Sequence, residues 1–161
     1  MATSKKKAVG KRTKASARKA SAPKTRRIAS APALRRSIDP GWTWDDRLPL
    51  SQARQVGNTI YVSGQIAYDA NGNLVGEGDM RAQTRQVFNN IRSVLESAGS
   101  SLKDIVKINT YITDGSKFMD MIAVRSEIFG DDPPASTAVV VAGLAFPALL
   151  IEVEAIAIKR A

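Results

Sequence analysis

From residue 48 onward the apolar positions of this chain repeat with two periods. Thr59-Ile60-Tyr61-Val62-Ser63 is a β-branched and aromatic run, and Gly57-Asn58 separates it from the extended segment 51–56, a pattern that predicts a hairpin. Asp69-Ala70-Asn71-Gly72-Asn73 carries a second turn signal. After Asp79, apolar side chains at Ala82, Val87, Phe88, Ile91, Val94, Leu95 and Ala98 recur at helical spacing, and Gly99 supplies the stop. Ile105, Val106, Ile108, Tyr111 and Ile112 predict a strand. Phe118, Met119, Ile122, Val124, Arg125, Ile128 and Phe129 predict a second helix that ends at Gly130, ahead of Pro133-Pro134. Strands at 137–141 and 149–158 close the chain. The order β-β-α-β-α-β-β predicts an α+β fold in which both helices cover one face of a mixed sheet.

In the last strand Leu149, Ile151, Val153, Ala155 and Ala157 point one way, and Leu150, Glu152, Glu154, Ile156 and Ile158 the other. Two carboxylates thus share one face of an otherwise apolar strand. Spacing alone fits a solvated rim or an inter-strand ion pair as readily as a functional site.

Residues 1–37 show neither period. They are built almost wholly from Ala, Lys, Arg, Ser, Thr and Pro, and such a segment buries too little apolar surface to offset its ordering entropy. The expected organisation is therefore a disordered tail at 1–37, a linker at 38–47 containing Trp42 and Trp44, and one domain at 48–161. Charge divides the same way. Residues 1–36 hold 13 Lys/Arg and no Asp/Glu, so the overall charge of +9 is the sum of a +13 tail and a −4 remainder. The basic clusters Lys5-Lys6-Lys7, Lys11-Arg12, Arg18-Lys19, Arg26-Arg27 and Arg35-Arg36 resemble the low-complexity tails of linker histones and histone-like bacterial proteins. A chain of this kind gains affinity for nucleic acid by releasing counterions, without regard to base sequence. Because the tail has no aromatic residue, it cannot stack on bases. A solvated solubility tail and an Arg- and Ser-rich organelle presequence stay open as alternatives, although the Leu and Phe stripe of an amphipathic targeting helix is missing.

The composition removes several chemistries. Without cysteine there is no disulfide framework, thiolate zinc site or cysteine nucleophile, and without histidine the commonest metal ligand and general base are missing. No metal or cofactor is expected. The longest apolar run, 138–151, is broken by Gly143 and Pro147 and is shorter than the roughly 20 residues that span a bilayer, so no membrane association is expected. The expected location is the cytoplasm, at the nucleoid if the tail engages nucleic acid.

Several runs resemble the Rid (YjgF-like, reactive intermediate deaminase) family: Ser51-Gln52-Ala53, Gly57-Asn58, Tyr61-Val62-Ser63-Gly64-Gln65-Ile66, Gln83-Thr84-Arg85-Gln86-Val87, Asn89-Asn90-Ile91, Ala98-Gly99-Ser100, Ile105-Val106-Lys107, Pro133-Pro134-Ala135 and Ile151-Glu152-Val153-Glu154-Ala155. They fall in order between residues 48 and 158. The resemblance implies the fold shared with the trimeric type of chorismate mutase, a homotrimer with small-molecule pockets between subunits. A trimer would also cover the sheet face carrying Ile156 and Ile158. The best-known members hydrolyse enamines and imines such as 2-aminoacrylate to a 2-keto acid and ammonia, without a cofactor. In them an arginine of a Pro-Ala-Arg-Ser run grips the substrate carboxylate, a tyrosine of Gly-Pro-Tyr-Ser-Gln lines the pocket, and a glutamate of the last strand holds the attacking water. The resemblance maps the glutamate onto Glu152, as the catalytic residue, and the serine of Ser-Gly-Gln onto Ser63.

Three positions depart from the family pattern. Ser136 stands in Pro134-Ala135-Ser136-Thr137 where the arginine is expected, Leu50 replaces the tyrosine, and Ser116 lies in the altered run Asp114-Gly115-Ser116-Lys117-Phe118. A serine hydroxyl supplies neither the charge nor the fork of a guanidinium. Ser63, Leu50, Ser136 and Ser116 are thus the expected substrate contacts around Glu152, in a pocket suited to a neutral or less polar ligand. Arg54, Arg81, Arg85 and Arg125 are candidates to replace the lost cation. A non-catalytic trimer that binds a metabolite and presents basic tails to nucleic acid is the alternative. A third reading, an endoribonuclease or translation inhibitor, finds little support in a chain with no histidine and an acidic domain.

Overall fold

The computed structural model describes residue 1 and residues 35–46 and 48–160. Every element described below lies in one compact unit, Pro32–Ala161. Lys5, Lys6, Lys7, Lys11, Arg12, Arg18, Lys19, Arg26 and Arg27 lie outside the described residues.

Six strands form one sheet: β1 (Arg35–Ile38), β2 (Ala53–Val56), β3 (Thr59–Gln65), β4 (Ile105–Ile112), β5 (Ala135–Val140) and β6 (Ile151–Ile158). Their order across the sheet is β1-β2-β3-β6-β4-β5, with β4 and β5 parallel and every other pair antiparallel. Helices α1 (Met80–Ser97) and α2 (Phe118–Phe129) complete the α+β architecture expected from the pattern. One element was not foreseen. Arg35 and Arg36, assigned to an unpaired tail reaching residue 37, belong to β1, whose backbone pairs with β2 from Arg35↔Val56 to Ile38↔Ala53. Their side chains are exposed, so the charge stays in water while the backbone groups are satisfied by the neighbouring strand.

Helix α1 begins where the Asp79 carboxylate accepts hydrogen bonds from the backbone N–H groups of Arg81 (2.9 Å) and Ala82 (3.1 Å). It ends at Gly99, whose φ of 69° suits a residue without a Cβ. Its stripe of Val87, Phe88, Ile91, Val94 and Leu95 is fully buried and packs on Ile60, Ile108, Ile112, Ile151 and Val153 of the sheet. Helix α2 packs beside α1, with Phe88 and Phe129 meeting edge to face at 5.4 Å. In β6 the alternation is strict: Ile151, Val153, Ala155 and Ala157 are buried, whereas Glu152, Glu154 and Ile156 are half-buried on the other face and Ile158 is exposed. That open face also carries Tyr61, 50% exposed.

Candidate active site

Strand β6 projects Glu152 from the open sheet face at the point where its pairing with β3 shifts register between Val62 and Gln65. Gly64 sits in that irregularity, and a Cβ there would overlap Oε1 of Glu152 and approach its carboxyl carbon to 2.9 Å. The bulge and the missing side chain together let the carboxyl group lie directly on the β3 backbone. Burial, reinforced by the negative charge of Glu154 two residues on, pushes the Glu152 carboxyl above its ordinary pKa. None of the ion pairs among the described residues involves it. Glu154 is held differently, accepting hydrogen bonds from Asn109 Nδ2 (2.6 Å) and the Tyr111 hydroxyl (3.3 Å). The same glutamate, chiefly by its charge, raises the pKa of Tyr111.

Glu152 and Leu50 line one cavity of about 500 Å³, together with Trp44, Tyr68 and Phe146. Trp44 meets Tyr68 edge-on at 5.7 Å, and Tyr68 stacks on Phe146 at 5.5 Å, so three rings form one wall. Helix α1 holds that wall in place. Asn90, on its buried face, donates from Nδ2 to the carbonyls of Ile66 (2.9 Å) and Tyr68 (2.8 Å) and fixes the chain leaving β3. Gln83, seven residues earlier, donates to the carbonyls of Gly76 (3.2 Å) and Ala148 (2.8 Å) and accepts from the Leu150 N–H (2.8 Å), which sets the approach to β6. The cavity amides form a chain of their own: Gln65 donates to Gln52 Oε1 (2.7 Å), and Gln52 donates to Asp45.

The other expected contacts lie elsewhere within one chain. Ser63 precedes Gly64, but its hydroxyl donates to the Ser51 carbonyl at 2.7 Å and braces the segment next to Leu50. Ser136 lies on β5, exposed and paired with Ile108, outside the cavity. Ser116 donates its hydroxyl to Asp114 at 2.6 Å in the short helical turn Gly115–Lys117, also outside it. None of the four arginines lines the cavity. Arg81 pairs with Asp120 at 2.9 Å, Arg85 pairs with Glu127, and Arg54 is exposed on β2. Arg125 is half-buried with a nitrogen 3.8 Å from the Met121 sulfur, and burial lowers its pKa.

Trp44, Tyr68, Phe146, Gln83 and Asn90 were not recognised as site-building residues in the sequence. Gln83 and Asn90 left a usable signal, since both fall on the apolar stripe of α1 where a polar side chain must find partners. Among the described residues no cluster of acidic side chains could hold a metal ion, and no helix is long and apolar enough to cross a membrane.

Comparison with known proteins gives a consistent picture. Residues 45–159 match the family described as Endoribonuclease L-PSP. A RutC family protein of Pyrococcus abyssi is 47% identical over 112 residues, covering 70% of this chain and 87% of the relative. A protein of Dermatophagoides farinae named 2-iminobutanoate/2-iminopropanoate deaminase is 38% identical over 110 residues, covering 68% of this chain and 85% of its own. Among solved structures, RidA from the Antarctic bacterium Psychrobacter sp. PAMC 21119 superposes with a TM-score of 0.64 at 41% identity, over 68% of this chain and 88% of its own. Yeast Mmf1 does so with a TM-score of 0.73 at 31% identity, over 79% and 100%.

Proposed function

The chain belongs to the Endoribonuclease L-PSP (Rid, YjgF-like) family, and from that premise we propose that it is a cofactor-independent hydrolase of C=N bonds whose specificity has moved away from small anionic 2-imino acids. The observation that carries this reading is the partly desolvated Glu152 carboxyl group, folded onto Gly64 in the wall of a cavity large enough for a small organic molecule.

In the proposed reaction, ionised Glu152 accepts a hydrogen bond from a water molecule and aims its oxygen at the imine carbon. As the C–O bond forms, the water proton passes to the carboxylate and then to the substrate nitrogen. The carbinolamine collapses to a carbonyl compound and ammonia. Charge development is small when the imine enters protonated, so one positioned acid-base group is sufficient. Ser136 in place of the arginine removes the charge-assisted fork that would hold a substrate carboxylate, a loss of about 1.5–3 kcal/mol per hydrogen bond. A homotrimer belongs to this reading: Ser136 lies outside the cavity of its own chain, and a neighbouring subunit would have to bring it to one.

The test is ammonia release from imines generated in situ, measured above spontaneous hydrolysis for the full chain and for Glu152→Gln. Acceleration that falls by about 100-fold or more in the variant supports the proposal, about 100-fold being the lower end of a general-base contribution. Equal rates with and without the full chain across the panel overturn it. The family's endoribonuclease label finds no support in an acid-base pair of the usual kind, since the chain has no histidine.

A second reading rests on the segregation of charge, +13 in residues 1–36 against −4 in the rest. Three such tails on one trimer would bind polyanions multivalently and deliver the domain to nucleic acid.

A further inference from the structure

We infer that the Glu152 cavity selects a carboxylate-free organic cation with a flat apolar body, the protonated imine of an arylalkyl amine, and so acts downstream of an amine-oxidising reaction. This rests on the hydrolase reading and names its substrate class.

Charge and shape carry the inference. Glu152 is the one charged side chain in the cavity lining among the described residues. An adjoining hollow of about 190 Å³ shares Leu48, Leu50 and Gln52 with it and adds Asp39, Asp45 and Asp46. An anion entering there meets four carboxyl groups and, among the described residues, no cation of the lining. Nor do the amides welcome an anion, because Asn90 spends its donors on Ile66 and Tyr68, and Gln52 donates to Asp45. The family's carboxylate-gripping position is Ser136 in every copy of the chain, so a neighbouring subunit does not restore the guanidinium there.

The wall of Trp44, Tyr68 and Phe146 supplies what a cation with an aromatic body needs. Ring faces are electron-rich and attract an adjacent cation, and their edges and faces stack on another ring. A primary iminium, R–CH=NH₂⁺, would place its nitrogen toward Glu152 and its R group on the wall. Its hydrolysis balances without a further reactant: R–CH=NH₂⁺ and H₂O give R–CHO and NH₄⁺, the water oxygen forming the new C–O bond and both water protons ending on nitrogen. Such an imine arises by two-electron oxidation of R–CH₂–NH₃⁺. A 2-imino acid, by contrast, comes from an amino acid and keeps its carboxylate.

Binding of unreactive probes to the full chain tests the selection directly, by calorimetry or tryptophan fluorescence. 2-Phenylethylammonium is expected to bind at least about tenfold more tightly than 3-phenylpropanoate, a factor in the range of a cation held by aromatic faces and a carboxylate. Glu152→Gln, which keeps the shape, is expected to abolish that preference. Equal or tighter binding of the carboxylate by the native chain overturns the inference, as does a preference that survives the substitution. A kinetic arm separates this inference from the hydrolase reading. Greater acceleration over spontaneous hydrolysis for 2-iminopropanoate than for the imine of phenylacetaldehyde overturns the inference and the shifted specificity, and leaves C=N hydrolysis itself standing. Acceleration of neither, with cation selection intact, supports the binding inference and sinks the hydrolase.

Discussion

Gly64 and Glu152 make a single unit, because the carboxyl group occupies the volume a side chain on the β3 backbone would fill. Gly64 has no left-handed backbone angle, so alanine is conformationally acceptable there, and the nearest atoms its Cβ would meet belong to Glu152. Gly64→Ala is therefore expected to lower kcat/KM for imine hydrolysis by about 100-fold, the scale of a misplacement near 1 Å, with little change in melting temperature. Kinetics and calorimetry on one preparation check both halves. The role proposed for Glu152 comes from family resemblance, whereas its seat was not legible in the sequence: the register shift between Val62 and Gln65 leaves no signature in Tyr61-Val62-Ser63-Gly64-Gln65 beyond the glycine itself. Ser63 shows the opposite case, a residue of the right run whose hydroxyl is committed to the Ser51 carbonyl.

At the scale of elements, α1 does more than cover the sheet. Its stripe was readable from period alone, and so was the alternation of β6, because each follows from one face being dry. What periodicity could not say is that Gln83 and Asn90 interrupt the stripe in order to tie down Ala148, Leu150, Ile66 and Tyr68. Gln83→Leu leaves two carbonyls and one N–H without their partner, and is expected to cost about 2–4 kcal/mol of stability by denaturant unfolding. Strand β1 was hidden for a different reason. Arg35-Arg36-Ser37-Ile38 has the composition of a tail, and it becomes a strand because β2 offers it an edge.

At the scale of the whole molecule, the open sheet face carries Tyr61 and Ile158, each about half exposed, and Val139, 43% exposed. A trimer would remove this surface from water, and Ile158→Lys is expected to shift the native mass from trimer to monomer. In a gel shift, a chain beginning at Pro32 is expected to lose the nucleic-acid affinity of the full chain; equal binding by both would remove any role for the tail. The ionisation of Glu152 links the fold to the proposed reaction. Its folded pKa is raised by burial and then by Glu154, so stability from this group is complete below the unfolded value and declines as pH rises through the folded one. Glu152→Gln is thus expected to melt above the native chain at neutral pH and to lose that advantage in acid. Activity runs the other way, since the water must be held by the ionised form. The most direct measurement is the pH profile of kcat/KM for ammonia release by the native chain and by Glu152→Gln. The account predicts a native acid limb above the ordinary glutamate value of about 4.3, absent from the residual rate of the variant. Superimposable profiles would contradict it.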